Sequence, residues 1–413
     1  AADPGVRARW WTRLALMVLL QALLPTCLSK PKDEYHNLDG YGYSVIHEEI
    51  VKDSARTEAY RSAILENKSH FEGKVVADLG CGLGLMSLFS AEAGARKVYC
   101  IEGSQIASTA ETIIRRNRKS DTVTVIKGRI EEAVIPEGEV DVIVSEWMGY
   151  FLHYEDMLPA ILTFRDKYLA DNGLIFPSHA RMWLSLYSDT RWYNDRISYW
   201  KDVYGFDYTP IVSRVVEEQF VNPERQHLRE DGVVSEPSLV HSVDMYTATL
   251  EDVKDIRATI SSKVTRKATI HGIAFWFDVT LEGDEHSALL DTAPKAGYTS
   301  WSQVVWYLQD AFNATEGDDV KGTFAMMRTD RGEFDVAVRL KSPSRVELEA
   351  FDQSPSTMFQ NLYERLSFEH GIYEEASDNQ LHRLLDYASR LQLGFVAAGV
   401  SAFVLGWMVG QWH

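Results

Sequence analysis

The chain has 413 residues, 45% of them apolar and 25% charged. That composition excludes collagen-like, mucin-like and wholly disordered proteins, and at about 100–200 residues per domain the length calls for two or three domains. Sixty acidic against 42 basic residues leave a net charge of −18, which disfavours nucleic acid as the main partner and suits a cationic one. Three cysteines, Cys27, Cys81 and Cys100, are too few for a disulfide framework.

Arg7, Arg9 and Arg13 precede an apolar run from Leu14 to Leu24 broken only by Gln21. Its helix would rise about 16 Å, too short to cross a bilayer, so residues 1–33 read as a targeting-like segment. His47 to Glu66 has the spacing of an amphipathic helix. From Lys74 to Pro177 short apolar strands (Val75–Leu79, Lys97–Glu102, Thr122–Ile126, Val140–Ser145, Leu174–Phe176) alternate with helical periods at Leu85–Ala93, Gln105–Arg116 and Glu155–Leu169. Such alternation predicts a mostly parallel sheet covered on both faces. After Pro177, alternating segments at Met182–Tyr187, Val264–Val279, Thr323–Met327 and Phe334–Leu340 predict antiparallel strands, with an aromatic helical insertion at Trp192–Tyr204 among them.

The first strand runs through Asp78 into Gly80-Cys81-Gly82-Leu83-Gly84 and then a helix. Glycines at such a turn allow positive φ and let a ligand touch the backbone. The third glycine falls at 84, and Leu85 stands where a dinucleotide fingerprint wants glycine; the spacing is similar to the S-adenosylmethionine loop of class I methyltransferases. Glu102 ends the next strand, 22 residues after Gly80, where a carboxylate takes ribose hydroxyls. Ile130-Glu131 follows the third strand, where such enzymes meet the adenine. Cys81 in the loop and Cys100 inside a strand are expected not to bridge, which suits a reducing compartment.

Glu146 and Glu155 stand nine positions apart after the fourth strand, at the ends of Glu146-Trp147-Met148-Gly149-Tyr150-Phe151-Leu152-His153-Tyr154-Glu155. Ligands of open α/β sheets bind at the strands' carboxyl ends. Two carboxylates among apolar neighbours there create a demand for a delocalised cation, which a guanidinium meets with its planar fork. The stretch resembles the double-glutamate loop of protein arginine methyltransferases. The resemblance covers roughly residues 41–350 and includes His47-Glu48-Glu49, Asp53 to Thr57, Glu102, Ile130-Glu131, Ile175-Phe176-Pro177 and Tyr204 to Asp207.

It implies an α/β Rossmann-like domain at 34–177 and an antiparallel β-barrel domain at 178–355 that carries a helical dimerisation arm near 191–210. It also implies methyl transfer from S-adenosylmethionine to the guanidino nitrogen of protein arginine, with Glu146 and Glu155 as the catalytic pair. Arg56 is implied to hold the cofactor carboxylate, with Asp78, Gly80, Gly82, Gly84, Glu102, Ile130 and Glu131 completing the cofactor site. Tyr41, His47, Met148, Tyr150, Met157 and Trp301 are implied to shape the substrate pocket, and no metal is expected.

Three positions depart from the family. Its Tyr-Phe-x-x-Tyr motif appears as Asn37 to Tyr41, its Thr-His-Trp as Thr299-Ser300-Trp301, and a methionine as Ile50. Ser300 can hydrogen-bond Asp53 but cannot carry positive charge. Two readings therefore stand side by side, an active enzyme and a cofactor-binding scaffold that pairs with an active partner; a small-molecule methyltransferase is a third.

Beyond the barrel, residues 356–390 read as a helical stalk. Leu391–Trp412 has no charged residue and is long enough for a transmembrane helix. Small residues at 394, 398, 402, 406 and 410 line one face of it. These features predict a membrane-anchored homodimer, or a hetero-oligomer with a related subunit, with its catalytic domain in the cytosol. The sequons Asn67-Lys-Ser and Asn313-Ala-Thr are compatible with a lumenal alternative.

Overall fold

The computed structural model describes residues 40–352 apart from 221–222, 330–331 and 343–344. The targeting-like segment, the stalk expected at 356–390 and the membrane helix expected at 391–412 lie outside the described residues.

Two helices open the described chain, α1 (Ser44–Lys52) and α2 (Ser54–Leu65). The single helix expected over 47–66 is divided at Asp53, whose extended backbone ends α1 and whose Oδ1 accepts the Arg56 N–H at 3.0 Å to cap α2. A five-stranded parallel sheet follows, built from β1 (Val75–Leu79), β2 (Lys97–Glu102), β3 (Val123–Lys127), β4 (Val140–Ser145) and β5 (Leu169–Phe176) in the order β3-β2-β1-β4-β5. The helices α3 (Leu85–Glu92), α4 (Ala107–Arg116) and α5 (Leu158–Tyr168) connect its strands. All five residues of β1 are buried, as both-face coverage of a parallel strand requires. The strand order reverses between β1 and β4, where Leu79 pairs with Ser145. Gly80 and Glu146 therefore leave the sheet side by side, at the switch point where open α/β sheets bind ligands.

After Phe176-Pro177 the chain becomes antiparallel, as its alternating pattern predicted. One sheet contains β6 (His179–Tyr187), β7 (Glu224–Gln226), β8 (Ser238–Asp244), β10 (Ala268–Glu282), β11 (Ser287–Asp291) and β12 (Gln303–Ala314). The other contains β9 (Asp255–Lys263), β13 (Asp319–Arg328), β14 (Phe334–Ser342) and β15 (Arg345–Asp352). Phe275 of β10 and Phe324 of β13 meet at 6.0 Å, so the two sheets share a core in a barrel-like layer. Between β6 and β7 lie α6 (Thr190–Arg196), a short 3-10 turn at Ser198–Lys201, and α7 (Val212–Gln219). This insertion exposes Tyr199, Tyr204, Phe206 and Tyr208.

Three expectations are corrected. No helix among the described residues is long and apolar enough to cross a membrane; the longest of the seven, α2 with 12 residues, rises about 18 Å against the ~30 Å of a hydrocarbon core. The membrane-anchored architecture, the membrane partner and the localisation drawn from them are withdrawn. Second, Cys81 and Cys100 do form a disulfide, with Cα atoms 5.4 Å apart. The loop after β1 folds back on β2, where the Gly80 and Cys81 N–H groups both donate to the Ile101 carbonyl, and that brings the two sulfurs together. The reducing compartment inferred from unpaired cysteines falls with it. Third, Asn67 is fully buried: its Nδ2 donates to the Ala63 and His286 carbonyls, and its Oδ1 accepts the Glu285 and His286 N–H groups. That amide ties the end of α2 to the turn between β10 and β11 and is no glycan acceptor.

Candidate active site

Gly80, Gly82 and Gly84 all have positive φ, at 72°, 55° and 81°. A Cβ on Gly80 would meet the Met157 methyl at 2.8 Å, and one on Gly82 would meet the His47 ring at 3.3 Å. The loop is thus a cradle closely overlain by Met157 and His47, which only glycine permits. Glu102 organises it from β2: Oε2 accepts the Gly82 N–H at 2.9 Å and Oε1 the Ser104 N–H at 2.7 Å. Asp78 is buried beneath it and accepts the Ser87 hydroxyl at 2.6 Å. Burial raises the Asp78 pKa to about 7 despite that bond.

His47 hydrogen-bonds the Tyr41 carbonyl at 2.8 Å, which folds the amino-terminal turn over the cradle. This turn brings the Tyr41 side chain against both glutamates. Its hydroxyl donates to the Glu155 carboxyl.

Glu146 follows β4 directly and is largely buried, its side chain 13% exposed. Its Oε2 accepts Arg56 Nε–H at 3.2 Å and its carboxylate takes the Met148 N–H. Oε1 has no hydrogen-bond partner among the described residues, an uncommon condition for a buried carboxylate oxygen. Burial raises the Glu146 pKa, opposed by the Arg56 cation. Glu155 is pushed up to about 8, first by burial and then by the Glu146 charge. Two buried carboxylates with one flanking guanidinium leave an unmet demand for a second cation.

The stretch between the glutamates is tightly wound. Phe151, Leu152 and Asp156 hold φ of 57°, 62° and 51°. The left-handed residue at Asp156 keeps 155–157 out of α5, which starts at Leu158 rather than at the expected Glu155. Phe151 inserts between the two barrel-like sheets, 4.6 Å from Phe275 and 6.2 Å from Phe324. Trp301 Nε1 donates to the Met148 carbonyl at 2.6 Å, and Arg328 of β13 forks onto Asp156. Ser300 donates to Asp53 Oδ2 from its N–H at 2.6 Å and its hydroxyl at 2.9 Å.

The residues singled out from sequence fall in three places. Tyr41, His47, Arg56, Gly80, Gly82, Met148, Glu146, Glu155, Met157 and Trp301 come together around the cradle and the acid pair. Tyr150 is at the rim, where Arg225 of β7 lies over its ring at 4.6 Å, donates to its hydroxyl and reaches Glu49 at 3.1 Å. Beyond β3, Ile130 packs on the core and Glu131 pairs with Arg129 at 3.1 Å. Sequence reasoning missed Gly149, Arg225 and Arg328. Only Gly149 carried a local signal, a glycine between two acids, where a Cβ would meet the Glu155 nitrogen at 2.6 Å.

Residues 178–344 match the family described as arginine methyltransferase oligomerization subdomain, and residues 76–173 match a methyltransferase domain. The chain is 37% identical over 302 residues to protein arginine N-methyltransferase 1 of Dictyostelium discoideum, covering 73% of this chain and 87% of that protein. To the protein of that name from Chlamydomonas reinhardtii it is 40% identical over 284 residues, covering 69% and 81%. Among solved structures, the Trypanosoma brucei PRMT1 enzyme-prozyme heterotetrameric complex with AdoHcy matches with a TM-score of 0.70 and 29% identity. That match covers 76% of this chain and all of the other. Arabidopsis thaliana protein arginine methyltransferase 10 matches at 0.67 and 29%, over 77% of this chain and all of the other.

Proposed function

The chain belongs to the protein arginine N-methyltransferase family, and from that premise we propose which of its residues carry the reaction. The protein transfers a methyl group from S-adenosylmethionine to a guanidino nitrogen of protein arginine, and its substrates are proteins. The observation that supports the residue assignment best is the convergence of Glu146, Glu155, Arg56 and Tyr41 beside the glycine cradle at the β1/β4 switch point.

S-adenosylmethionine, when bound, supplies an electrophilic methyl on a cationic sulfur. The tight positive-φ turn of Gly80, Gly82 and Gly84, overlain by Met157 and His47, fits a cofactor whose atoms touch the backbone. Arg56, with one nitrogen on Glu146, presents its other guanidinium nitrogens to a ligand carboxylate. Glu102 and Asp78 hold the cradle's shape, while Ile130 and Glu131 stand at the adenine end. Tyr41, His47 and Met157 wall the site, and Met148, Tyr150 and Trp301 shape the approach.

A substrate arginine arrives protonated and is a poor nucleophile. Glu146 and Glu155 grip its two sides, exclude water and draw positive charge away from one terminal nitrogen, which is then held on line for transfer. Glu155 releases its own proton to solvent as the cation enters. The nitrogen that takes the methyl displaces the cofactor's thioether as leaving group and sheds one proton, for which the now ionised Glu155 carboxylate is the acceptor.

The protein functions as an oligomer. In the finer reading, residues 34–177 form the cofactor domain, 178–355 the barrel domain, and the aromatic insertion near 191–210 docks on a second copy or a related subunit.

Methylation of a basic peptide with labelled cofactor tests the assignment. Glu146→Gln and Glu155→Gln are each expected to lose about 10²–10³-fold in kcat while binding S-adenosylhomocysteine as the unaltered enzyme does. Unchanged turnover in either variant removes that residue from the reaction.

A further inference from the structure

Asp156 and Arg328 are 172 positions apart and belong to different layers of the molecule. Arg328 ends β13, and its Nε and Nη2 reach Asp156 Oδ1 and Oδ2 at 2.5 and 2.6 Å. This is a two-point fork on a carboxylate only 2% exposed. Asp156 holds a left-handed backbone, φ 51°, and is the residue directly after Glu155. Its N–H closes the turn onto the His153 carbonyl at 2.9 Å.

An aspartate tolerates this conformation better than most residues but does not choose it unaided. The barrel-side guanidinium holds it there. Because Glu155 shares a peptide bond with Asp156, whatever sets the Asp156 backbone also sets the direction of the Glu155 side chain. Two other groups touch Glu155. Tyr41 meets its carboxyl, and Gly149 packs closely against its nitrogen, Cβ and Cγ. A planar fork on two oxygens fixes orientation as well as distance, which a lysine cannot do.

We propose that Arg328 is a positioning residue for methyl transfer: by clamping Asp156 from the barrel layer it aims the Glu155 carboxylate at the substrate guanidinium. The role rests on the assignment of Glu155 made above. It couples the barrel-like layer, which contains no part of the acid pair, to the geometry of the reacting nitrogen. The clamp acts on kcat and on peptide binding, and leaves the glycine cradle alone.

The test uses the full chain with Arg328→Met, Arg328→Lys, Asp156→Asn and the double variant Arg328→Met/Asp156→Asn. Steady-state kcat and peptide KM are measured together with the Kd of S-adenosylhomocysteine and the melting temperature. Arg328→Met is expected to lose at least 30-fold in kcat with the S-adenosylhomocysteine Kd within twofold, and Arg328→Lys to recover only part of that loss. The double variant also removes the buried negative charge, so it stays folded if Arg328→Met does not, and it should show the same kcat deficit. A folded variant without the clamp whose kcat is within threefold of the unaltered enzyme overturns the inference. So does cofactor affinity that falls in step with kcat. Glu155→Gln, run in parallel, separates the two claims: if it remains active, the assignment of Glu155 fails, and if it is inactive beside a fully active Arg328→Met, only the clamp fails.

Discussion

Ser300 is bound to Asp53 through two donors on one oxygen, the backbone N–H and the side-chain hydroxyl, while the other Asp53 oxygen caps α2 just ahead of Arg56. The barrel layer thereby reaches the helix that presents Arg56 to Glu146, with a neutral hydroxyl where the family has an imidazole. Because the N–H remains, Ser300→Ala should cost about 1 kcal/mol of stability and no more than about fivefold in kcat. Asp53→Ala removes the cap and leaves a buried N–H unpaired, at about 2–4 kcal/mol. Thermal melts and turnover on both variants check the ordering; equal losses would mean the hydroxyl alone carries the link.

The acid pair makes the reaction pH-dependent in a stated direction. Burial and the Glu146 charge hold the proton on Glu155 up to about pH 8 in the free enzyme, and a guanidinium displaces it. Below that pH, kcat/KM should fall by about tenfold per unit, and above it level off. Stability moves the other way. The Glu155 pKa is raised on folding, so the folded state binds the proton more tightly, and stability declines as pH rises from about 4.5 to 8. Asp78, raised to about 7, adds to the same decline. A pH profile with its acid limb near 4.5 would show Glu155 already ionised in the free enzyme.

Gly149 tests whether the loop's compactness serves the chemistry. A Cβ there would meet the Glu155 nitrogen at 2.6 Å and its Cγ at 2.7 Å. Gly149→Ala must therefore push Glu155 away from its place, while the glycine cradle is left alone. The expected result is a loss of about 10²-fold in kcat with unchanged binding of S-adenosylhomocysteine by calorimetry. Parallel loss of cofactor binding would place the damage in the sheet instead.

The cradle and the acid pair were legible in the sequence because each is built by a strand and the residues immediately after it. Gly80 to Gly84, Glu102 and Glu146 inherit their positions from parallel pairing, which apolar runs and turn residues announce. Partners that meet across layers left no such trace. Arg328 is 172 positions from Asp156, and Asn67 and His286 are 219 apart; no local period encodes either meeting. The cysteine pair was misread for a related reason. Cys81 and Cys100 belong to a loop and a strand that look unconnected in sequence, yet the register Asp78 to Cys100 sets that strand beside the returning loop. The expected membrane helix rested on an uncharged apolar length with one face of small residues, and no helix among the described residues is long and apolar enough to cross a membrane.

His153 and His241 form a second titrating pair, with ring centres 5.0 Å apart and both Nε2 atoms buried without a hydrogen-bond partner among the described residues. Trp147 and Phe334 close on His153; Asp252 is the charged group that acts on His241. Burial lowers the pKa of both, that of His241 to about 4. The unfolded chain takes up these protons near pH 6.5 and the folded chain resists them. The contribution of the neutral pair is therefore complete above about pH 6.5 and is lost as pH falls toward 4. For His241 alone the loss is about 3 kcal/mol. Glu155 and Asp78 oppose this trend, so the unaltered protein's melting curve is a sum of both. The difference between it and a His153→Phe/His241→Phe variant isolates the pair. That difference should be steady from pH 7 to 8 and shift in the variant's favour as pH falls from about 6.5 to 4.5. Denaturant melts at matched pH values measure it, and a difference that stays flat down to pH 4.5 would show that the two rings are solvated enough to accept protons without cost.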